Sequence, residues 1–122
     1  MCPQKMNKHK IGASGESRAI SYLKNKGYVV LEKNYRPPSI RSEVDIICEK
    51  KGVVVFVEVK KRYGDKFGTP IDAVNLEKTK KIMNVAQRYL NARGLSEKCE
   101  ARFDIIGIEG DKLTHIEDAF RM

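Results

Sequence analysis

The chain has 122 residues, which is long enough for one domain that buries its own core without disulfides or structural metals. Its 24 basic residues outnumber the 16 acidic residues and give a net charge of +8, which favours a polyanionic partner without identifying one. The three widely spaced cysteines suggest neither a disulfide framework nor a zinc site, and no apolar run is long enough for a membrane span or a signal peptide, so we expect a cytoplasmic protein without a membrane partner.

The first predicted elements are a basic arm and a helix. Residues 1–10 are polar and basic, so we expect a flexible arm, and apolar residues at helical spacing predict a helix from Gly12 or Ser14 to Lys26. The apolar stripe of this helix consists of Ala19, Ile20 and Leu23. Glu16 lies on the same stripe, where an acid needs a partner. Either the helix N-terminus satisfies Glu16, or Glu16 points over the sheet toward other acids, which is the interpretation we favour.

A β-hairpin over residues 43–60 is the central prediction. Residues 28–33 are predicted to form a first strand, and Pro37 and Pro38 exclude a central strand over residues 34–41, so a loop leads into the hairpin. Two apolar, β-branched runs then flank a lysine–glycine pair, a pattern that is typical of a two-residue hairpin loop.

The two-residue loop fixes the register of the hairpin strands. Asp45 then faces Glu58, and the alternation of side chains brings Glu43 and Lys60 to the same face. Opposed carboxylates destabilise a sheet unless a positive charge lies between them. Lys60 supplies this charge in part, and a divalent cation such as Mg²⁺ or Mn²⁺ does so better, because these ions prefer oxygen ligands. The alternative is a solvated face with an ordinary Glu58–Lys60 ion pair, and spacing alone leaves both interpretations open.

A second helix is predicted after a glycine-bearing loop at residues 63–68. Residues 69–72 have the pattern of a helix start, Asn75 is a second candidate start, and the helix should end near Arg93. Five basic residues within and before this helix are candidate phosphate contacts: Lys61, Arg62, Lys78, Lys81 and Arg88. A solvated helix face is the ordinary alternative for such charges.

The last predicted elements are two strands. Residues 102–108 form a near-continuous apolar run, as expected for a strand that is covered on both faces, and residues 112–116 should form a short edge strand after a turn. Asp104 and His115 are isolated polar residues in these strands, and we interpret both as structural. The order α-β-β-β-α-β-β predicts an α/β fold in which a mixed sheet carries a helix on each face.

Asp45, followed after twelve residues by Glu58-Val59-Lys60, resembles the signature of the PD-(D/E)xK nucleases, whose fold is a three-layer, restriction-endonuclease-like αβββαβ core. A larger set of motifs resembles the bacterial YraN-like family, which is usually described as related to archaeal Holliday-junction resolvases. These motifs are Gly15-Glu16, Glu43-Val44-Asp45, Phe56-Val57-Glu58-Val59-Lys60 with Arg62, the helix start at residues 74–78, Tyr89-Leu90 and Arg102-Phe103-Asp104. The likeness covers about residues 12–120, and it implies a single nuclease-like domain over residues 11–122.

Two positions depart from these patterns. Val44 stands where the superfamily signature has proline, and Ser42-Glu43-Val44-Asp45 stands where the family usually has Gly-Glu-Ile-Asp. Neither departure removes a catalytic group.

The resemblance implies a role for each matching residue. Asp45 and Glu58 would hold Mg²⁺ or Mn²⁺ with help from the Val59 carbonyl, and Lys60 would orient or deprotonate the attacking water. Glu16 matches a first-helix acid that reaches the metal, often through water. The implied activity is an endonuclease that cuts DNA, including branched DNA, and leaves a 5′-phosphate. A homodimer is also implied, because two symmetric cuts need two sites.

Two other function classes stay open at this stage. The first is a nucleic-acid-binding module that keeps the fold and the basic surface without cleaving. The second is a small scaffold protein whose hairpin charges form a surface ion-pair ladder. Replacing Glu58 by Ala should lower the stability of a scaffold or leave it unchanged, and should raise the stability of a metal-empty nuclease site by relieving carboxylate repulsion.

Overall fold

The computed structural model describes residues 8–61, 76–95 and 99–120. Its elements, in chain order, are α1 (Lys8–Asn25), β1 (Val29–Tyr35), β2 (Val44–Lys50), β3 (Val53–Lys61), α2 (Leu76–Ala92), β4 (Glu100–Glu109) and β5 (Lys112–Phe120). This is the predicted element order. The α/β, restriction-endonuclease-like class that the sequence predicts is therefore confirmed.

The five strands form one mixed sheet in the order β1-β2-β3-β4-β5. All neighbouring strands are antiparallel except β3 and β4, which are parallel. Lys51 and Gly52 join β2 to β3 with φ angles of 53° and 83°, and a turn with two positive φ angles matches the twist of the strands that it connects. The strand register follows from this turn as predicted, with Lys50 opposite Val53 and continuing to Ile46 opposite Val57.

The two helices cover opposite faces of the sheet. Ala19 and Leu23 of α1 pack in one apolar cluster, whose strand residues include Ile46, Cys48, Val55 and Val57. The other cluster joins residues of α2 to the opposite face, and its members include Ile47, Val54, Phe56, Ile82, Val85 and Tyr89. Because side chains alternate along β3, Glu58 extends from the α2 face, as Phe56 does. The acid therefore meets α2 and not α1.

Several boundaries differ from the predictions. Helix α1 begins at Lys8, earlier than predicted, and β1 continues to Tyr35, into the predicted loop. Strand β5 continues to Phe120 because the Phe120 ring stacks on Phe103 of β4, at a centroid distance of 5.0 Å. The predicted loop at residues 63–68 and the helix start at residues 69–72 lie outside the described residues. Neither described helix has the length and apolar character needed to cross a membrane.

Candidate metal and nuclease site

Asp45 and Glu58 meet at one cavity on the α2 face of the sheet. Its volume is about 480 Å³, and its lining consists of Ser42, Glu43, Asp45, Glu58, Glu77, Lys78, Lys81 and Ile82. The lining therefore contains the end of the loop before β2, the ends of the two hairpin strands that are distant from the turn, and the first turns of α2. The three hairpin acids are brought together as the predicted register requires.

The carboxylate of Asp45 is held by the backbone of the neighbouring strand. The Val59 N–H donates to Asp45 Oδ2 at 2.8 Å. Burial raises the pKa of Asp45 from 3.8 to about 7, with the charge of Glu58 as the second cause. Asp45 is thus about half protonated near pH 7, and an added cation would favour its charged form.

Glu58 is buried, and two lysines approach the same carboxylate oxygen. Lys78 Nζ lies 2.6 Å from Glu58 Oε2, and Lys60 Nζ lies 3.6 Å from it. Burial lowers the pKa of Lys60, and the neighbouring Lys78 adds to this effect while Glu58 opposes it. Burial also acts to lower the pKa of Lys78, but the hydrogen bond and the charge of Glu58 outweigh it and raise that pKa. The two lysines that share Glu58 therefore differ in pKa, and Lys78 is the more firmly charged of the two.

Glu16 approaches this site from the other side of the sheet. It belongs to α1, which packs on the opposite face, and it is not among the residues that line the cavity. Its charge nevertheless contributes to the raised pKa of Asp45. The favoured interpretation, in which Glu16 faces the acidic cluster, therefore has electrostatic support but no direct contact among the described atoms.

The donor set fits a hard divalent cation. Within residues 8–61, 76–95 and 99–120, no group of three or more His, Cys, Asp or Glu side chains is arranged to hold a metal. Mg²⁺ does not need such a group, because it usually keeps several waters and takes one or two carboxylates together with substrate phosphate oxygens. Asp45 and Glu58 supply two carboxylates at one cavity, and a cation between them would offset the burial and the repulsion from Glu58 that raise the pKa of Asp45.

Two of the five predicted phosphate contacts line the cavity. Lys78 and Lys81 line it, and Lys81 Nζ also lies 3.9 Å from a carboxylate oxygen of Glu77. Arg88 is exposed further along α2, and Arg62 lies outside the described residues. Sequence reasoning missed the contact between Lys78 and Glu58, since helical periodicity gives the face of Lys78 but not the strand beneath it.

Lys61, at the end of β3, lies against a glycine of α1. A Cβ atom added to Gly15 would meet the Lys61 side chain at 2.9 Å, which is closer than real contacts allow. The absence of a side chain at Gly15 therefore lets the Lys61 stem cross α1. This gives a physical reason for the glycine in the Gly15-Glu16 motif.

Comparison with known proteins places these residues in a family. The family described as Uncharacterised protein family UPF0102 matches residues 15–108, which is most of the chain. The chain belongs to the UPF0102 family. The YraN-like resemblance is thereby confirmed.

Individual UPF0102 proteins match nearly the whole chain. The identity is 43% to a UPF0102 protein of Thermodesulfovibrio yellowstonii, over 94% of this chain and 99% of the relative. It is 46% to one of Alkaliphilus oremlandii, over 94% of this chain and 100% of the relative. It is 40% to one of Chlorobium chlorochromatii, over 90% of each chain. The matched region, residues 15–108 in the family comparison, therefore spans the segment from Ser42 to Ile82 that contributes the cavity.

Arg102, Asp104 and His115 form a second polar cluster, on the α1 face, whereas Phe103 packs on the α2 face. Asp104 is fully buried and accepts two hydrogen bonds from Arg102, both at 2.9 Å. His115 Nε2 lies 2.7 Å from Asp104 Oδ2, and its Nδ1 lies 3.0 Å from the Tyr22 hydroxyl. The structural interpretation of Asp104 and His115 fits these contacts, although their sequence separation concealed that they are partners.

Proposed function

We propose that this UPF0102 protein is a metal-dependent endonuclease that hydrolyses phosphodiester bonds in DNA, including branched DNA, and leaves a 5′-phosphate. The observation that carries the proposal is the juxtaposition of Asp45 and Glu58 at one cavity, where burial and the charge of Glu58 raise the pKa of Asp45 to about 7. Two crowded carboxylates oppose DNA binding unless a cation neutralises them. The net charge of +8 favours a polyanionic substrate.

In this mechanism Asp45 and Glu58 would hold Mg²⁺ or Mn²⁺ with the Val59 carbonyl. Such a cation would supply Lewis-acid stabilisation of charge on the phosphate and would make water a better nucleophile near neutral pH. Lys60 orients the attacking water or takes its proton at Nζ, and it offsets charge on the phosphate. The water oxygen bonds to phosphorus and the bond from phosphorus to the 3′ oxygen breaks, so the phosphate stays on the 5′ side. The departing 3′ oxygen takes a proton from solvent.

Partners follow from the same chemistry. Lys81 lines the cavity, and with Lys61, Arg62 and Arg88 it belongs to the basic residues that would contact DNA phosphates. Paired cuts in a branched substrate need two active sites, so a homodimer belongs to this proposal. A salt-dependent affinity would accompany any of these contacts.

A non-catalytic nucleic-acid-binding module is the second candidate. The observation that favours it is the contact of 2.6 Å between Lys78 and Glu58. A buried carboxylate with a lysine partner has charge compensation without a metal. In that case the basic surface would bind nucleic acid, and Asp45 and Glu58 would contribute only to the folded structure.

Cleavage of a labelled panel separates the two candidates. The panel contains single-stranded DNA, duplex, flap, four-way junction and RNA, each incubated with Mg²⁺, Mn²⁺ or EDTA. We expect cutting of DNA that requires metal and is lost in Asp45→Asn, because Asn keeps the hydrogen-bond acceptor for Val59 but not the charge. Glu77→Gln, on the same cavity, is the matched control and should retain cleavage.

The outcomes of this experiment are distinct. Binding of the panel without cutting, unchanged in Asp45→Asn, would favour the binding module. Cleavage that survives EDTA or the loss of Asp45 would contradict the proposed mechanism, and preference for RNA would correct the substrate class.

The contact between Gly15 and Lys61 gives a separate prediction about DNA binding. Gly15→Ala should displace the Lys61 side chain, since its added Cβ would lie 2.9 Å from Lys61 Cδ. We expect DNA affinity in EDTA to fall several-fold, and the slope of log affinity against log salt to decrease by about 1, as for the loss of one phosphate contact. Fluorescence anisotropy at several salt concentrations measures both quantities.

The double variant tests whether Lys61 is the cause. Lys61→Ala should reproduce the effect of Gly15→Ala, and the two changes together should weaken binding no more than either alone. Additive losses would show that Gly15 acts on DNA binding by another route.

A further inference from the structure

Lys78 contacts one carboxylate oxygen of Glu58, a residue that would hold the proposed metal. Its ammonium lies 2.6 Å from Glu58 Oε2, closer than the 3.6 Å of Lys60 to the same atom. The Glu58 side chain is 8% exposed, whereas the Lys78 side chain is 45% exposed. The lysine therefore enters from the cavity side, where solvent, metal and substrate would also enter.

Two cations cannot use this oxygen equally. A metal bound to Glu58 would compete with the Lys78 ammonium for the lone pairs of this carboxylate, and repulsion between the two positive charges adds to the conflict. Lysine is suited to leave, because its ammonium is a compact charge on a flexible four-carbon stem. Lys78 and Lys81 lie one turn apart on α2 and line the same cavity, so Lys78 can turn away without leaving the site.

We propose that Lys78 is an internal competitor for the metal site: it occupies Glu58 when no metal is bound, and it moves to the substrate phosphate when a divalent cation takes its place. This inference rests on the proposed nuclease function and deepens it, because it gives one residue two successive positions. Lys78 thereby keeps the acidic pair compensated in the absence of metal. It also returns a positive charge to the cavity when the phosphate arrives.

Calorimetric titration with Mn²⁺ alone tests the competition without any cleavage assay. We expect Lys78→Met to bind Mn²⁺ about tenfold more tightly than the wild type, since a hydrogen bond to a charged group no longer has to be broken. Lys78→Arg keeps the cation and should stay near the wild-type affinity. Lys81→Met removes an equal charge from the same cavity but does not free Glu58, so it should change the affinity much less.

The results separate this inference from the nuclease proposal. Tighter Mn²⁺ binding by Lys78→Met, in protein that cuts no DNA, would support the competition and overturn the nuclease. Metal-dependent cutting by the wild type, with equal or weaker Mn²⁺ binding by Lys78→Met, would overturn the competition and leave the nuclease standing. An equal gain in Lys81→Met, or no Mn²⁺ binding by any variant, would also overturn it. Thermal unfolding of each variant checks that the fold is intact.

Discussion

Asp45→Asn should be more stable than the wild type in metal-free buffer, although it should not cleave DNA. The folded protein has an Asp45 pKa of about 7, against an ordinary value of 3.8. That difference corresponds to roughly 4 kcal/mol above pH 8, and solvent in the cavity reduces the expected gain to about 2 kcal/mol. Asn removes the charge and keeps an acceptor for the Val59 N–H. Urea unfolding in EDTA measures the gain.

The gain should depend on pH in a defined direction. Between about pH 4 and pH 7, folded wild-type protein keeps a proton on Asp45 that the unfolded chain has released, so this group makes stability fall as the pH rises. Asn does not titrate and lacks this slope. The advantage of Asp45→Asn should therefore be smallest near pH 4 and complete by about pH 8. A variant that is less stable than the wild type at the higher pH would contradict the crowding of charge at this site.

Added metal should reverse the order of stability. Mn²⁺ that binds only the folded wild type raises its unfolding midpoint, whereas Asp45→Asn has lost a ligand and should gain much less.

Glu58→Ala should have the opposite effect on stability in metal-free buffer. The sequence predicts a gain in stability for a metal-empty nuclease site and no change or a loss for a scaffold, but the structure gives Glu58 two lysine neighbours. Removing Glu58 leaves Lys60 and Lys78 without that partner, so we expect a lower free energy of unfolding in EDTA. Only Asp45 gains, because it no longer experiences repulsion from the Glu58 carboxylate.

Local sequence signals were sufficient for most of the fold. The lysine–glycine pair at Lys51 and Gly52 determines the turn, and the turn determines which residues of β2 and β3 are opposite each other. Apolar alternation then assigns Phe56 and Val57 to different faces of the sheet. The ends of elements were less predictable, because they depend on partners elsewhere in the chain. Strand β5 is long since Phe120 stacks on Phe103, a contact that no local pattern contains.

The part of the candidate site that lies within one hairpin was predictable from the sequence, and the part that depends on packing between elements was not. Asp45, Glu58 and Lys60 belong to one hairpin, so their approach follows from strand geometry. Lys78 comes from a helix after a long connection, and its position over Glu58 depends on how α2 packs on the sheet. The helical pattern alone does not distinguish Lys78 from the other basic residues of α2. The docking of α2 distinguishes it from Lys81.

The buried cluster around Asp104 should control the stability of the UPF0102 fold. Asp104 accepts hydrogen bonds from Arg102 and from the Asp118 N–H, and it contacts His115. Burial acts to raise the pKa of Asp104, but these hydrogen bonds outweigh it and hold the pKa below its ordinary value. We expect Asp104→Asn to lower the free energy of unfolding by about 3–5 kcal/mol, because Arg102 loses a buried charge partner. Urea unfolding at neutral pH measures this loss.

Two comparisons assign the loss to the buried charge. Asp111→Asn, at the exposed turn between β4 and β5, should change stability by less than about 0.5 kcal/mol. The depressed pKa means that the Asp104 contribution is present above about pH 4 and disappears as the pH falls further, so wild type and Asp104→Asn should converge in acid. Equal stability at neutral pH would show that the cluster is not needed for folding. Because Asp104 lies on the α1 face, folded Asp104→Asn should still bind Mn²⁺ at the Asp45–Glu58 cavity, which separates the stability of this fold from the chemistry proposed for its opposite face.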